Sequence, residues 1–179
     1  MSGGIRFTLA LVLVVAATVA AAPTSARPHA AQSVTAMNDL ESAVLGQINA
    51  LRRSHGLAPL RMNRRLRAAA DSHSVSMARR GFFSHTSADG TSFATRVGRY
   101  YPRGRSGYRA IGENLLWSSP GVDAAKAVRM WLDSAPHRRN MLRASWREIG
   151  LSAVHSSSAP GTYRSAPVTI VTADFGVRR

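Results

Sequence analysis

Apolar positions recur at helical spacing from Leu40 onward: Leu40, Val44, Ile48 and Leu51 share one face, with Asn38 placed to cap the start and Gly56 to stop it. A second helix is predicted from Asn63, carrying Leu66, Ala70, His73 and Met77 on one side and closed by Gly81. Phe82 to Gly90 reads as a turn-rich loop, and Ser92 to Tyr100 as a short helix. Pro102 to Gly112, rich in glycine and arginine and without periodicity, predicts a loop that leads into a brief extended segment, Glu113 to Trp117. Asp123 to Leu132 predicts another helix with Ala127, Val128 and Trp131 inward, and Pro136 suits the first turn of a further one carrying His137 to Leu142. Near the end, Ile149 to His155 and Val168 to Phe175 predict two strands joined by a Ser/Pro/Gly loop, Ser156 to Pro167. The sum is a β-hairpin packed among helices, with no internal repeat and no heptad pattern.

The first residues are patterned differently. Arg6 precedes an apolar run, Phe7 to Ala22, broken only by Thr8 and Thr18, and Thr24-Ser25-Ala26 then offers the small residues that a signal peptidase reads. Residues 1–26 are therefore expected to be an export signal cut after Ala26, since Pro23 disfavours a cut after Ala22. The run is shorter than the ~20 residues that span a bilayer, which argues against an uncleaved anchor. Residues 27–36 read as a linker and 37–179 as one domain, the size expected of a single well-buried core.

Hydrophobic residues make up 45% of the 179 residues, ordinary for a globular chain. The absence of cysteine is less ordinary in an exported protein: packing alone must hold the fold, and thiol chemistry, cysteine-rich zinc sites and a disulfide-linked partner are excluded. Twenty-four Lys+Arg against nine Asp+Glu give a net charge of +15, an attraction for phospholipid headgroups or acidic wall polymers that salt would weaken. Scattered charges on a solvated surface account for the same surplus. The run Arg96, Arg99, Tyr100, Tyr101, Arg103, Arg105, Tyr108, Arg109 could grip phosphates or stack bases, or could be a solvated loop whose tyrosines pack on the domain. Export disfavours nucleic acid as a partner, and no Walker or dinucleotide glycine pattern is present.

Three polar residues stand among apolar neighbours: His85 after Phe82-Phe83-Ser84, Glu113 in Gly112-Glu113-Asn114-Leu115, and His137 after Trp131 and Pro136. A buried carboxylate is costly without a partner, so Glu113 should have a hydrogen-bonding or cationic neighbour, for which the histidines are candidates. His73 is expected to be a core residue bonded to backbone, His55 a helix-end residue, and His29 and His155 exposed.

In order along the chain, Asn49-Ala50-Leu51-Arg52 with Gly56 and Pro59-Leu60, Phe83-Ser84-His85, Gly112-Glu113-Asn114, Trp131 through Leu142, Ile149-Gly150 and Asp174-Phe175-Gly176 resemble the bacterial branch of the CAP (SCP-like) superfamily. The resemblance implies an α/β fold, an α-β-α sandwich with a small antiparallel sheet flanked by helices, and a central cleft defined by two histidines and two acids. Carried over, His85 and Glu113 match the first histidine and first acid, and His137 the second histidine. The second acid falls on Ser134, so the family tetrad is a triad here.

Neutral imidazoles are ligands for zinc and similar divalent cations, and a carboxylate can orient a ring or take a proton from bound water. His85 and His137 are thus candidate metal ligands with Glu113 as base, the pattern of a metal-dependent hydrolase or peptidase, although catalytic zinc usually has three protein ligands. A hydrogen-bonded polar knot is the alternative. Ser134 and His137, spaced i,i+3, could with Glu113 fill the roles of a nucleophilic triad, but no Gly-x-Ser-x-Gly elbow is present and serine there also reads as a cap. The favoured expectation is a non-catalytic binding domain whose cleft, lined by His85, Glu113, Ser134 and His137, takes a small ligand or extracellular polymer and requires no cofactor. An arginine-driven binder of anionic lipid or polymer is the alternative from another class.

Overall fold

The computed structural model describes residues 33–179. The expected export signal and His29 lie outside the described residues, as does most of the expected linker. The linker's last residues are structured: Val34–Ala36 is a strand, β1, antiparallel to β4 (Glu148–Ala159) through Val34↔Ser156 and Ala36↔Val154. Met37 follows and donates its amide to Ala153 O at 2.8 Å, which carries the pairing up to the first helix.

That helix, α1, spans Asn38–Ser54. Asn38 is not its cap: Met37 holds that position without a side-chain bond, and Asn38 Oδ1 instead accepts from Arg67 Nη2 at 2.6 Å. Asp39 and Glu41 in the first turn and Arg52 and Arg53 in the last complement the helix dipole. A two-residue strand, β2 (Arg61–Met62), runs parallel to β4 and leads into α2 (Arg64–Arg80), capped by Asn63, whose Oδ1 accepts the amides of Arg65 and Leu66. Gly81 closes α2 at φ 70°, and a Cβ there would also meet Pro160 and Gly161 backbone.

The remaining helices are α3 (Phe93–Tyr100), capped by Ser92, α4 (Ala124–Asp133), capped by Asp123, and α5 (Ala135–Met141) with Pro136 in its first turn. The third long strand, β3, spans Arg109–Ser118, so the stretch expected to be loop up to Gly112 becomes strand at Arg109. The reason is a partner: β5 (Ala166–Arg178) offers a matching edge, and pairing runs from Arg109↔Arg178 to Ser118↔Thr169. The hairpin strands likewise exceed their expected lengths, and the loop between them shrinks to residues 160–165, with a 3₁₀ turn at Gly161–Tyr163.

The sheet order is β1-β4-β5-β3, with β2 beside β4 on the β1 edge. Alternation along the strands separates two faces. Ile149, Leu151, Ala153, Val171, Ala173 and Phe175 meet Val44 and Ile48 of α1, Trp131 of α4 and Met141 of α5. The other face carries Val154, Val168, Ile170 and Leu115 against Met77 and Ala78 of α2, with Val97 of α3 packed on Leu66 and Ala69 nearby. The protein is therefore an α-β-α sandwich, and because both faces are covered the central strands are buried almost throughout, polar residues included.

At Gly150 the helix layer sits directly on the sheet. A Cβ there would collide with the backbone of Leu66 and Arg67 in α2, which cannot swing aside as a side chain could. Gly150→Ala is expected to lower stability by at least the ~1–3 kcal/mol typical of overpacking, read as a fall in thermal midpoint. An unchanged midpoint would show that α2 can slide.

Candidate functional site

β3 is an edge of the sheet, and the predicted site residues gather around it. His73, fully buried on α2, donates Nε2–H to Ser84 O at 2.8 Å and so fixes the loop one residue before His85. Arg96 of α3 holds the same loop by donating Nη1 to His85 O at 2.8 Å and to Ser87 Oγ at 3.3 Å. With its backbone held from both sides, His85 places Nδ1 2.7 Å from Glu113 Oε1. A carboxylate can only accept, so Nδ1 carries the proton and Nε2 is left as the free ring nitrogen.

Glu113 stands on β3 with its side chain 1% exposed. Its other oxygen, Oε2, accepts from Arg96 Nη2, an ion pair buried at both ends. Across the ladder, Glu113 faces Asp174 of β5. Asp174 is wholly buried, and neither of its carboxyl oxygens has a hydrogen-bond partner among the described residues. Burial first, and then the adjoining Glu113, push its pKa well above the ordinary value, which favours the protonated acid over a second buried carboxylate charge beside Glu113.

His137 comes from the opposite layer, in the first turn of α5. Asn114 Nδ2 donates to its carbonyl at 3.1 Å, Asn140 Nδ2 to Asn114 Oδ1 at 2.9 Å, and Trp146 Nε1 to Asn140 O at 2.9 Å. This chain ties α5 to β3 and explains Gly112, where a Cβ would lie 2.5 Å from Asn140 Oδ1. Burial, and next the neighbouring His85, hold the His137 imidazole below its ordinary value, so it is a neutral ring at pH 7.

His85, Glu113 and His137, with Asn114, Asn140 and Arg139, line one hollow of about 400 Å³. Two imidazoles and a carboxylate from three distant segments thus meet in one place. Ser134 lies apart, in an adjoining groove with Phe83, Trp117 and Met130 that touches the hollow at His137. It sits at the cap position of α5 without a side-chain cap bond, and Glu113 bonds His85, not His137, so the Ser134-His137-Glu113 relay does not assemble.

The donor set does not fit a catalytic metal. Both Glu113 oxygens are committed, one to His85 and one to a guanidinium, which leaves two imidazoles where three protein ligands are usual. Among the described residues no group of three His, Asp or Glu side chains is arranged to hold a metal ion.

Two members of this network do not stand out by spacing. In the sequence Arg96 belongs to the arginine and tyrosine run, which the structure divides: Tyr101 is buried in the core, Tyr100 and Tyr108 are exposed, and Arg96 pairs with Glu113. Asp174 offers one signal, an acid that follows Ile170 and Thr172 at alternate positions in the middle of an otherwise uncharged stretch of strand. His73 and His55 lie as expected, whereas His155 is half-buried beside Thr169 Oγ1 rather than exposed.

The family model for CAP, the cysteine-rich secretory protein family, matches residues 45–175. The chain is 31% identical over 111 residues to the uncharacterized membrane protein YlbC of Bacillus subtilis (strain 168), covering 62% of this chain and 30% of that protein. Its fold is similar to the crystal structure of an extracellular protein containing a SCP domain from Bacillus anthracis, at 25% identity and a TM-score of 0.61 over 79% of this chain and 41% of that one. An outer surface protein of Borrelia burgdorferi shares the fold at 18% identity, with a TM-score of 0.67 over 83% of this chain and 99% of that one. The chain thus spans less than half the length of the first two relatives. With six ordered motifs, a three-layer sandwich and a family match over most of its length, the chain belongs to the CAP family, although it contains none of the cysteines for which that family is named.

Proposed function

We propose that this is an exported CAP domain whose His85/Glu113/His137 hollow binds a small polar ligand without covalent chemistry. The observation that carries the reading is the state of Glu113: with one oxygen on His85 and the other on Arg96, it orients an imidazole and is not free to accept a proton from a water in the hollow. What the hollow offers a ligand is hydrogen bonding, from His85 Nε2, the neutral His137 ring and the Arg139 guanidinium that also lines it. Export is supported by the leader pattern and by the name of the Bacillus anthracis relative, an extracellular protein. Among the described residues no helix is long and apolar enough to cross a membrane.

Histidine-ring NMR of the protein against a library of polar fragments tests this reading. Hits are expected to move His85 and His137 resonances and to be lost in the double variant His85→Ala with His137→Ala. Zinc titration in parallel is expected to give no hydrolysis of ester or peptide substrates; chelator-sensitive hydrolysis that disappears in His137→Ala would replace binding with the metal-dependent reading. The arginine surplus supports a second reading, attraction to anionic lipid or wall polymer, whose signature is affinity that falls steeply with salt and ignores the two histidines.

A further inference from the structure

A second hollow, of about 370 Å³, lies between α2, the loop before α3 and α3 itself. Beyond the apolar contact of the two helices at Leu66, Ala69 and Val97, the surfaces that line the hollow turn polar. Ser72, Ser76 and Arg80 follow one another at four-residue spacing along α2, and Arg96 and Arg99 share a face of α3; all five line the hollow. The loop closes the third wall with Ser87 and Thr91, held in a tight turn by Ser87 N→Thr91 O and Gly90 N→Ser87 O, each 2.9 Å.

Three guanidiniums on one small hollow repel one another unless something neutralises them. Arg96 is matched by Glu113, but its Nε is buried without an acceptor. Among the described residues neither Arg80 nor Arg99 makes an ion pair. The single acid on the wall, Asp89, accepts the Thr91 amide at 2.9 Å and is exposed. An anion of modest size with several acceptor oxygens would meet forked guanidiniums and hydroxyl donors together.

We propose that this hollow is a binding site for a phosphate-bearing group, separate from the histidine cleft. Arg96, held by His85 O, Ser87 and Glu113, supplies a fixed positive wall; Arg80 and Arg99, on exposed positions of two helices, close on the phosphate oxygens; Ser76, Ser87 and Thr91 offer hydroxyls. The site touches the cleft network only through Arg96, and neither His85 nor His137 lines it.

Calorimetric titration of the protein with inorganic phosphate at constant ionic strength tests the proposal, with amide shifts of Ser76 and Thr91 locating the ion. Arg80→Gln with Arg99→Gln, conservative at exposed helix positions, is expected to weaken phosphate binding about tenfold or more at an unchanged thermal midpoint. His85→Ala with His137→Ala is expected to leave it intact. Phosphate binding that survives the arginine changes, that is lost with the histidines, or that is absent at millimolar phosphate overturns the site. Vesicles of phosphatidylglycerol beside phosphatidylcholine then tell the source apart. Arginine-dependent capture of the former points to a lipid headgroup, and phosphate binding without vesicle capture to a soluble phosphate ester.

Discussion

Arg52→Met is expected to destabilise the protein by about 3 kcal/mol, which at ~2–4 °C per kcal/mol for a domain of this size is a fall in midpoint of roughly 6–12 °C. Arg52 is fully buried on α1 and has no acidic partner among the described residues. Its guanidinium is held by carbonyls: Nε donates to Ala58 O at 2.9 Å, and Nη1 to Met141 O at 2.7 Å and Arg143 O at 3.1 Å. It therefore caps the C-terminal end of α5, where the dipole is negative, and clamps that helix to α1 and to the turn before β2. Two effects oppose each other in the substitution. Removing a desolvated charge is favourable, and burial together with Arg147 already lowers the Arg52 pKa. Leaving three carbonyls without donors costs ~1–3 kcal/mol each and is the larger sum. Arg52→Lys should fall between, because an ammonium keeps the charge but cannot span three acceptors in a fixed fork. Hydrogen exchange of the α5 amides should accelerate first, since α5 carries His137. A loss below about 1 kcal/mol with unchanged exchange would mean that water takes over the carbonyls.

Arg52 also shows how much of the molecule is legible in the sequence. The Asn49-Ala50-Leu51-Arg52 motif helps to place the chain in its family, yet its chemistry is structural: Asn49 Nδ2 donates to Leu60 O, Leu60 N returns a bond to Asn49 Oδ1, and Arg52 reaches residues 89 and 91 positions away. Helix positions follow from local apolar spacing and capping residues, which is why Asn63, Ser92, Asp123 and Gly81 fall at the ends expected of them. Strand ends do not, because Arg109 to Gly112 become strand only through β5, a partner that no local pattern announces. In the same way His85, Glu113 and His137 are visible as polar residues among apolar neighbours, while the partners that decide what Glu113 can do are not. Arg96 is hidden in a run of arginines, and Asp174 takes its meaning from a strand register.

Asp174→Asn is expected to stabilise the protein at neutral and higher pH by about 1 kcal/mol and to flatten one limb of its pH profile. In the native protein Asp174 is held neutral above the pH at which an ordinary aspartate ionises, by burial first and by Glu113 second. Unfolding then releases a proton: the stability contributed by this group is complete below the unfolded value of 3.8 and is lost as pH rises toward its folded value. The slope can reach ~1.4 kcal/mol per pH unit for one proton. Asparagine keeps the shape, with no proton to surrender. His73 and His137 act in the opposite sense, since burial lowers both from 6.5. Their contribution is present above that value and is lost as pH falls below it, through their folded values. Wild type should therefore show a flattened stability curve through mildly acidic pH, where Asp174 and Glu41, both raised by burial, oppose the histidines, whereas Asp174→Asn, with only Glu41 left to oppose them, should rise more steeply with pH up to about 6.5. Urea unfolding at half-unit steps of pH measures both curves. Parallel curves for the two proteins would show that Asp174 ionises normally in the fold, and its burial beside Glu113 would then leave no mark on the pH dependence of stability.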